Sequence, residues 1–480
     1  MKSSIQSIKK LPLMYKISLL WSTLMFGLAA ITCYYTDLRS LTIWTTNLWD
    51  AWYFTGNPLN FYAYSAENLY MLDHAMVGSD LLIYLPWCIW NLPIWAMQRF
   101  GNLAILEHPL MLFYSKCFLI ILLALSCIVI YKIAGLFTSK TEETWQTVLL
   151  YSTSLFVLTG IAYIGQNDII VILCFLWALH QLLKGKTKAF VLFAALSISL
   201  KPFFAFSYVA IILYKEKKLH KILLYGLAGI SIYVLQKIPF LAVPMYKESL
   251  SYGPTTNVLG LLLEATFDIS PVGISVFVLA LMLVYFIAYL DNHEDNDKER
   301  MLYYCVLPFI CFCAFTTYES YRPIYLFAVF FLLMLTKPAY RRINLLLEML
   351  VSGCLMVYYM VNDFLFFNGI YIHLPARSAE YDSVYSFFQT NLPNAGLKAF
   401  MAVAVFGLIC MAVINHPNFK SENKVLCMQE EKYLVLLRSL LYSVPLLFAI
   451  VLKCFMYKLL FLKKIQILNR LPQLRVGFSF

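Results

Sequence analysis

The stretch KAFVLFAALSISLKPFFAFSYVAIILYK, residues 188–215, sets the terms for the whole chain. Between its flanking lysines lie about 26 residues that are apolar except for a few hydroxyls and the pair Lys201–Pro202. Two complete membrane crossings need roughly 20 residues each, so this run is too short for two. Proline cannot continue the helical hydrogen-bond ladder. A broken helix at membrane depth is tolerated where it lines a protein cavity. The run therefore predicts a short helical hairpin with Lys201–Pro202 at its tip.

Similar runs recur along the chain. It has 480 residues, 61% hydrophobic and only 13% charged, with mean hydropathy +0.72. A soluble domain carries roughly 25% charged residues. Continuous apolar runs of about 17–25 residues predict an all-α, polytopic membrane protein rather than an outer-membrane barrel. The net charge of +11 sits in clusters between apolar runs, which marks cytoplasmic loops rather than nucleic-acid binding. Most of the 12 cysteines fall inside apolar runs without zinc spacing and read as small buried residues.

Charge bias places the N-terminus (Lys2, Lys9, Lys10, Lys16) in the cytoplasm, followed by a first span at about Lys16–Tyr35 with no cleavable signal peptide. The segment Leu81–Gln98 resembles a span, but it holds Pro86, Pro93 and interfacial aromatics. Residues from Thr36 to about Pro109 are therefore expected to form one long external loop with juxtamembrane helices. Spans follow at Leu110–Tyr131, Trp145–Tyr163 and Ile169–Leu183, then the broken hairpin. Later spans are expected at about Leu219–Leu241, Val272–Leu290, Met301–Thr317, Pro323–Thr336, Ile343–Val361 and Leu397–Ile414, and Tyr433–Tyr457 stays ambiguous. The expected total is about 11–13 spans, with a catalytic module over residues 1–338 and variable helices with a basic tail over 339–480.

Polar groups recur where these spans end on the external side. Asp37 follows the first span and is placed to act as a general base, or to mark a helix end in solvent. Asp50 lies in a tryptophan-rich stretch, NLWDAWYFTGNP, suited to stacking sugars or anchoring at an interface. Gly165–Asp168, GQND, offers a tight turn, the two-sided hydrogen bonding of Gln166 and the carboxylate of Asp168. Lys201 can hold a lipid phosphate as a point charge or snorkel to the interface. Lys116 and Lys237 carry the same two readings, weighted towards snorkelling. In YESYRP, residues 318–323, Glu319 and Arg322 are three residues apart and can pair, or Arg322 can grip a phosphate while Glu319 contacts sugar hydroxyls. No phosphate-cradling glycine loop or Walker motif occurs.

The ordered set resembles the GT-C superfamily of polytopic glycosyltransferases, and within it bacterial relatives of the GPI-anchor second mannosyltransferase. The matching features are Asp37 followed by Trp44 and Trp49, the turn with Gln166 and Asp168, Lys201–Pro202 in a short hairpin, and Tyr318–Tyr321 with Pro323 opening a late helix. They span roughly Met14–Pro338. The family histidine is Tyr318 here and the family arginine is Ser320. The resemblance implies a GT-C bundle in the plasma membrane with its active site outside. It implies inverting transfer of a mannose-like hexose from a polyprenyl-phosphate donor to a glycan or glycolipid acceptor of the cell envelope. Asp37, with Asp50 as a second candidate, would be the catalytic base. Lys201, Arg322 and Lys116 would bind the phosphate, and Gln166, Asp168, Glu319 and Tyr321 would position the sugar or a divalent cation. The competing readings are a lipid-linked glycan flippase, for which the expected two-half symmetry is missing from the sequence, and an O-antigen polymerase or ligase.

Overall fold

The computed structural model describes residues 11–33, 36–68, 77–102, 109–243, 245–252, 262–269, 272–291, 297–316, 322–362, 394–422, 431–444 and 447. The described residues are helical almost throughout. Its helices are α1 (Leu13–Thr32), α2 (Thr36–Thr55), α3 (Phe61–Glu67), α4 (Leu85–Gly101), α5 (Pro109–Ala134), α6 (Thr141–Ser152), α7 (Leu155–Ile164), α8 (Asp168–Leu183) and α9 (Thr187–Leu200). They continue with α10 (Phe204–Lys215), α11 (Leu219–Leu235), α12 (Tyr246–Tyr252), α13 (Val276–Leu290), α14 (Lys298–Phe315), α15 (Pro323–Thr336), α16 (Arg341–Asn362) and α17 (Asn394–Ile414). A further helical segment covers 432–444.

Among the described residues, five helices are long and apolar enough to cross a membrane, and six if the bent pair α6 and α7 counts as one span. The expected 11–13 spans exceed this number because α8, α9, α10, α13 and α15 are apolar but only 10–17 residues long. The described residues are all-α apart from one short hairpin. Strands β1 (Thr266–Ile269) and β2 (Val272–Ser275) pair antiparallel with Thr266 opposite Ser275. The second strand takes the first four residues of the span expected at Val272–Leu290. Ser275 then caps α13, its hydroxyl accepting from the Val278 amide at 3.4 Å.

Local chemistry sets the helix limits that matter most. Pro323 occupies the first turn of α15, where its missing amide proton costs nothing. Lys201 is extended between α9 and α10, as the Lys201–Pro202 pair predicts. The expected span Trp145–Tyr163 is instead broken: α6 and α7 meet at 49° across Thr153–Ser154. The second half of α7, Leu158–Ile164, is π-helical and wholly buried. Such segments concentrate at functional sites. Helix α15 packs against α14, α8, α7 and α6, which puts it at the centre of the bundle. Helices α2, α3 and α4 of the expected first loop pack together beside the start of α5.

Candidate functional site

Four chain segments converge at one end of α7. They are the start of α2, the turn after α7, the α9–α10 break and the start of α15. Gly165 ends α7 with a left-handed φ of 75°, and a Cβ added there would lie 3.0 Å from Leu38 Cβ. A side chain at 165 would therefore be strained by its backbone and crowd α2. The Gln166 amide donates to the Gly160 carbonyl at 2.7 Å, which closes the turn. Gln166 then donates from Nε2 to Oδ2 of Asp37. Asp37 itself is exposed and lies in the first turn of α2, where the helix dipole favours a carboxylate.

Two residues beyond Gln166, Asp168 opens α8 and is buried. Its carboxylate accepts from Lys201 Nζ at 3.0 Å and from the Tyr325 hydroxyl at 2.5 Å. The Lys201 side chain is 17% exposed, against 1% for Asp168. Lysine and aspartate, expected to serve phosphate and sugar separately, thus form one ion pair with an open lysine edge. Phe203, two residues past Lys201, lies under the Arg322 guanidinium at 3.9 Å, and Phe312 lies 5.4 Å from it. Cation–π contact of this kind is favourable for a buried arginine. Arg322 is buried, and Tyr325 follows one turn later with its ring stacked on Phe309 at 5.7 Å.

The other expected residues separate from this group. Asp50 lies on the same helix as Asp37, 13 positions later, so about 20 Å of helix divides them. The two carboxylates cannot serve one reacting centre. Asp50 accepts from Trp95 Nε1 at 2.9 Å. Burial pushes its carboxyl up, against the opposing pull of that hydrogen bond and of Arg99. Lys116 is fully buried and donates to the Cys33 and Ala162 carbonyls, the latter at 2.7 Å. It joins the end of α1 to α7, with no surface for a lipid phosphate. Lys237 does not snorkel alone but pairs with Asp80 at 2.7 Å, and Tyr246 donates to the same carboxylate. Glu319 and Tyr321 lie outside the described residues.

Two groups were not singled out in the sequence. Tyr325 sits inside an apolar run, and only its distance from Pro323 hints at a role. Arg438 and Glu348 each interrupt an apolar run, LLRSLLYSV (436–444) and LLLEMLV (345–351). They form a buried bidentate pair at 2.8 and 3.1 Å. Arg438 also donates to Thr153 Oγ1 at 2.6 Å and to the Leu150 carbonyl at 2.7 Å. That carbonyl would accept from the Ser154 amide in a continuous helix, but Ser154 bonds Tyr151 instead. Arg438 thus satisfies the backbone group freed by the break and fixes the direction in which α7 runs to Gln166.

Among the described residues, no group of three or more histidine, cysteine, aspartate or glutamate side chains is placed to hold a metal ion. No model of a known protein family matches the chain, and neither a curated protein nor a solved structure matches it.

Proposed function

We propose that this chain is a polytopic membrane glycosyltransferase of the GT-C type. It moves a mannose-like hexose from a polyprenyl-phosphate donor to a hydroxyl of a lipid-linked or cell-envelope glycan. The N-terminus is cytoplasmic, the protein resides in the plasma membrane, and the reaction takes place at its external face. The observation that carries this reading is an exposed carboxylate, Asp37, tied through Gln166 to a segment that also holds Asp168, Lys201 and, through Phe203, Arg322.

In the proposed reaction Asp37 takes the proton of the acceptor hydroxyl as its oxygen attacks the anomeric carbon. Gln166 orients the carboxylate. The bond from that carbon to the phosphate oxygen breaks with inversion, and polyprenyl phosphate leaves with the electron pair. Lys201 and Arg322 stabilise the charge that grows on the phosphate. Asp168 and Tyr325 hold Lys201 in place. Lys116 is a structural clamp in this scheme, and Asp50 belongs to the aromatic helix pair α2 and α4.

The test is a turnover assay with the purified protein in lipid nanodiscs, an acceptor glycolipid and a panel of polyprenyl-phosphate hexoses. Release of polyprenyl phosphate with at least one donor is the expected result. No release with any donor, together with movement of lipid-linked glycan across reconstituted vesicles, supports a flippase and overturns the proposal.

A further inference from the structure

The tryptophan-rich end of α2 is left unused by the proposed reaction. Trp52, Tyr53 and Phe54 there are each about half exposed. The last part of α4 lies against them. Trp95 meets Trp49 at 6.1 Å and Tyr53 at 6.0 Å between ring centroids, and it donates to Asp50. One turn later on the same face of α4, Arg99 lies 4.2 Å from the Phe54 ring and 5.1 Å from the Tyr53 ring. Tyr53, itself one turn past Asp50, thus connects a carboxylate with a guanidinium. Arg99 acts on Asp50 through space, but among the described residues no ion pair joins them. The carboxylate has one hydrogen bond there, from the neutral Trp95 indole, and Arg99 donates none. An ionised carboxylate accepts about four hydrogen bonds and a guanidinium donates five, so both groups keep capacity for a ligand.

The surroundings narrow the choice of ligand. Beside this seam the outer side of α4 is apolar: Ile89 and Phe100 are each 72% exposed. A water-borne glycan leaves such side chains in water, whereas a lipid covers them. The seam also carries both signs of charge. A purely anionic headgroup meets Arg99 favourably but is repelled by Asp50.

We propose that the seam between α2 and α4 binds the headgroup of phosphatidylethanolamine in the external leaflet. The proposal rests on the membrane placement given above but not on glycosyl transfer. The ammonium donates to the Asp50 carboxylate among the neighbouring rings, whose faces attract a cation. The phosphate accepts from the Arg99 guanidinium. The two-carbon linker of the headgroup spans the helical turn between them, and the acyl chains run beside Ile89 and Phe100. A choline headgroup has the same charges but no N–H to donate, so it fits Asp50 less well.

The experiment is photolabelling of the full chain in nanodiscs, mapped by peptide mass spectrometry. The probes are phosphatidylethanolamine, phosphatidylcholine and phosphatidylglycerol with the same diazirine-bearing acyl chain. Adducts on residues 89–100 should be severalfold more abundant with phosphatidylethanolamine than with the other two. Adducts on the exposed Phe406 of α17 should be equal with all three, since nothing there selects a headgroup. Asp50→Asn should lose the preference for ethanolamine over choline, and Asp50→Glu, which restores the charge, should keep it. Arg99→Gln should lower labelling of 89–100 by both. Equal labelling of 89–100 by the three probes overturns the proposal and leaves only ordinary boundary lipid. Displacement of the probe by a soluble mannose oligosaccharide overturns it in favour of a glycan site. Absence of adducts at Phe406 as well as at 89–100 refutes the membrane placement and the proposal with it.

Discussion

The buried pair of Arg438 and Glu348 gives the sharpest energetic prediction. Their side chains are 5% and 1% exposed, so neither charge reaches solvent. Removing one partner of such a pair leaves an uncompensated buried charge and costs about 3–5 kcal/mol. Arg438→Met also strips the Leu150 carbonyl of its donor, a further cost of about 1–3 kcal/mol. Glu348→Leu leaves the guanidinium with the Thr153 hydroxyl, the Leu150 carbonyl and the Phe331 ring at 5.2 Å, and no charge among these to compensate its own. The double variant Arg438→Met/Glu348→Leu removes both charges and keeps only the carbonyl penalty, so it should be more stable than either single variant. The coupling should be at least about 3 kcal/mol, since well-packed apolar replacements of whole pairs are often neutral. The measurement is a double-mutant cycle from reversible unfolding in mixed micelles. A double variant whose loss equals the sum of the single losses would refute the clamp.

Other outcomes follow from the same geometry. Gly165→Ala should lose about 1–2 kcal/mol from the left-handed backbone alone, and adding Leu38→Ala, which removes the two Cδ contacts but keeps the nearest atom, Cβ, should not restore it; full recovery by Leu38→Ala would remove backbone strain from the account. Lys201→Met should abolish donor-dependent release, whereas Tyr325→Phe should keep the Lys201–Asp168 pair and lose about 1–3 kcal/mol of stability from one buried hydrogen bond; equal activity losses in both would contradict the assigned roles. Asp50 is a carboxylate raised from its ordinary value of 3.8, chiefly by burial. Its stability contribution is fully present below that value and is lost as pH rises through the folded-state pKa. Asp50→Asn should therefore gain thermal stability relative to wild type as pH climbs above about 4; a gap that does not change with pH would contradict the burial of that charge.

How much of this was legible depends on where each signal resides. The break at Lys201 and the start of α15 at Pro323 were readable, because proline acts through its own backbone. The first loop was readable as helical from its aromatic and proline pattern. The bend between α6 and α7 was not, since Thr153–Ser154 contains no breaker and the bend is held by Arg438, 285 positions away. The β1–β2 hairpin is four residues per strand and joins an apolar helix, so it merged with the expected span. Asp37, Gln166, Asp168 and Lys201 were named individually, but their pairing was not. Lys201 reads as a free cation until Asp168 is placed 3.0 Å from it. Asp50 was grouped with Asp37 because both are acidic and near tryptophans. Once Thr36–Thr55 is known to be one helix, their spacing separates them.

The central claim is that Asp37, and not the second carboxylate on α2, takes the acceptor proton. The direct measurement compares polyprenyl phosphate release by wild type, Asp37→Asn and Asp50→Asn at saturating donor and acceptor. Release should collapse in Asp37→Asn, which keeps an oxygen for Gln166 but has no base, and should survive in Asp50→Asn. Wild-type release by Asp37→Asn would contradict the account.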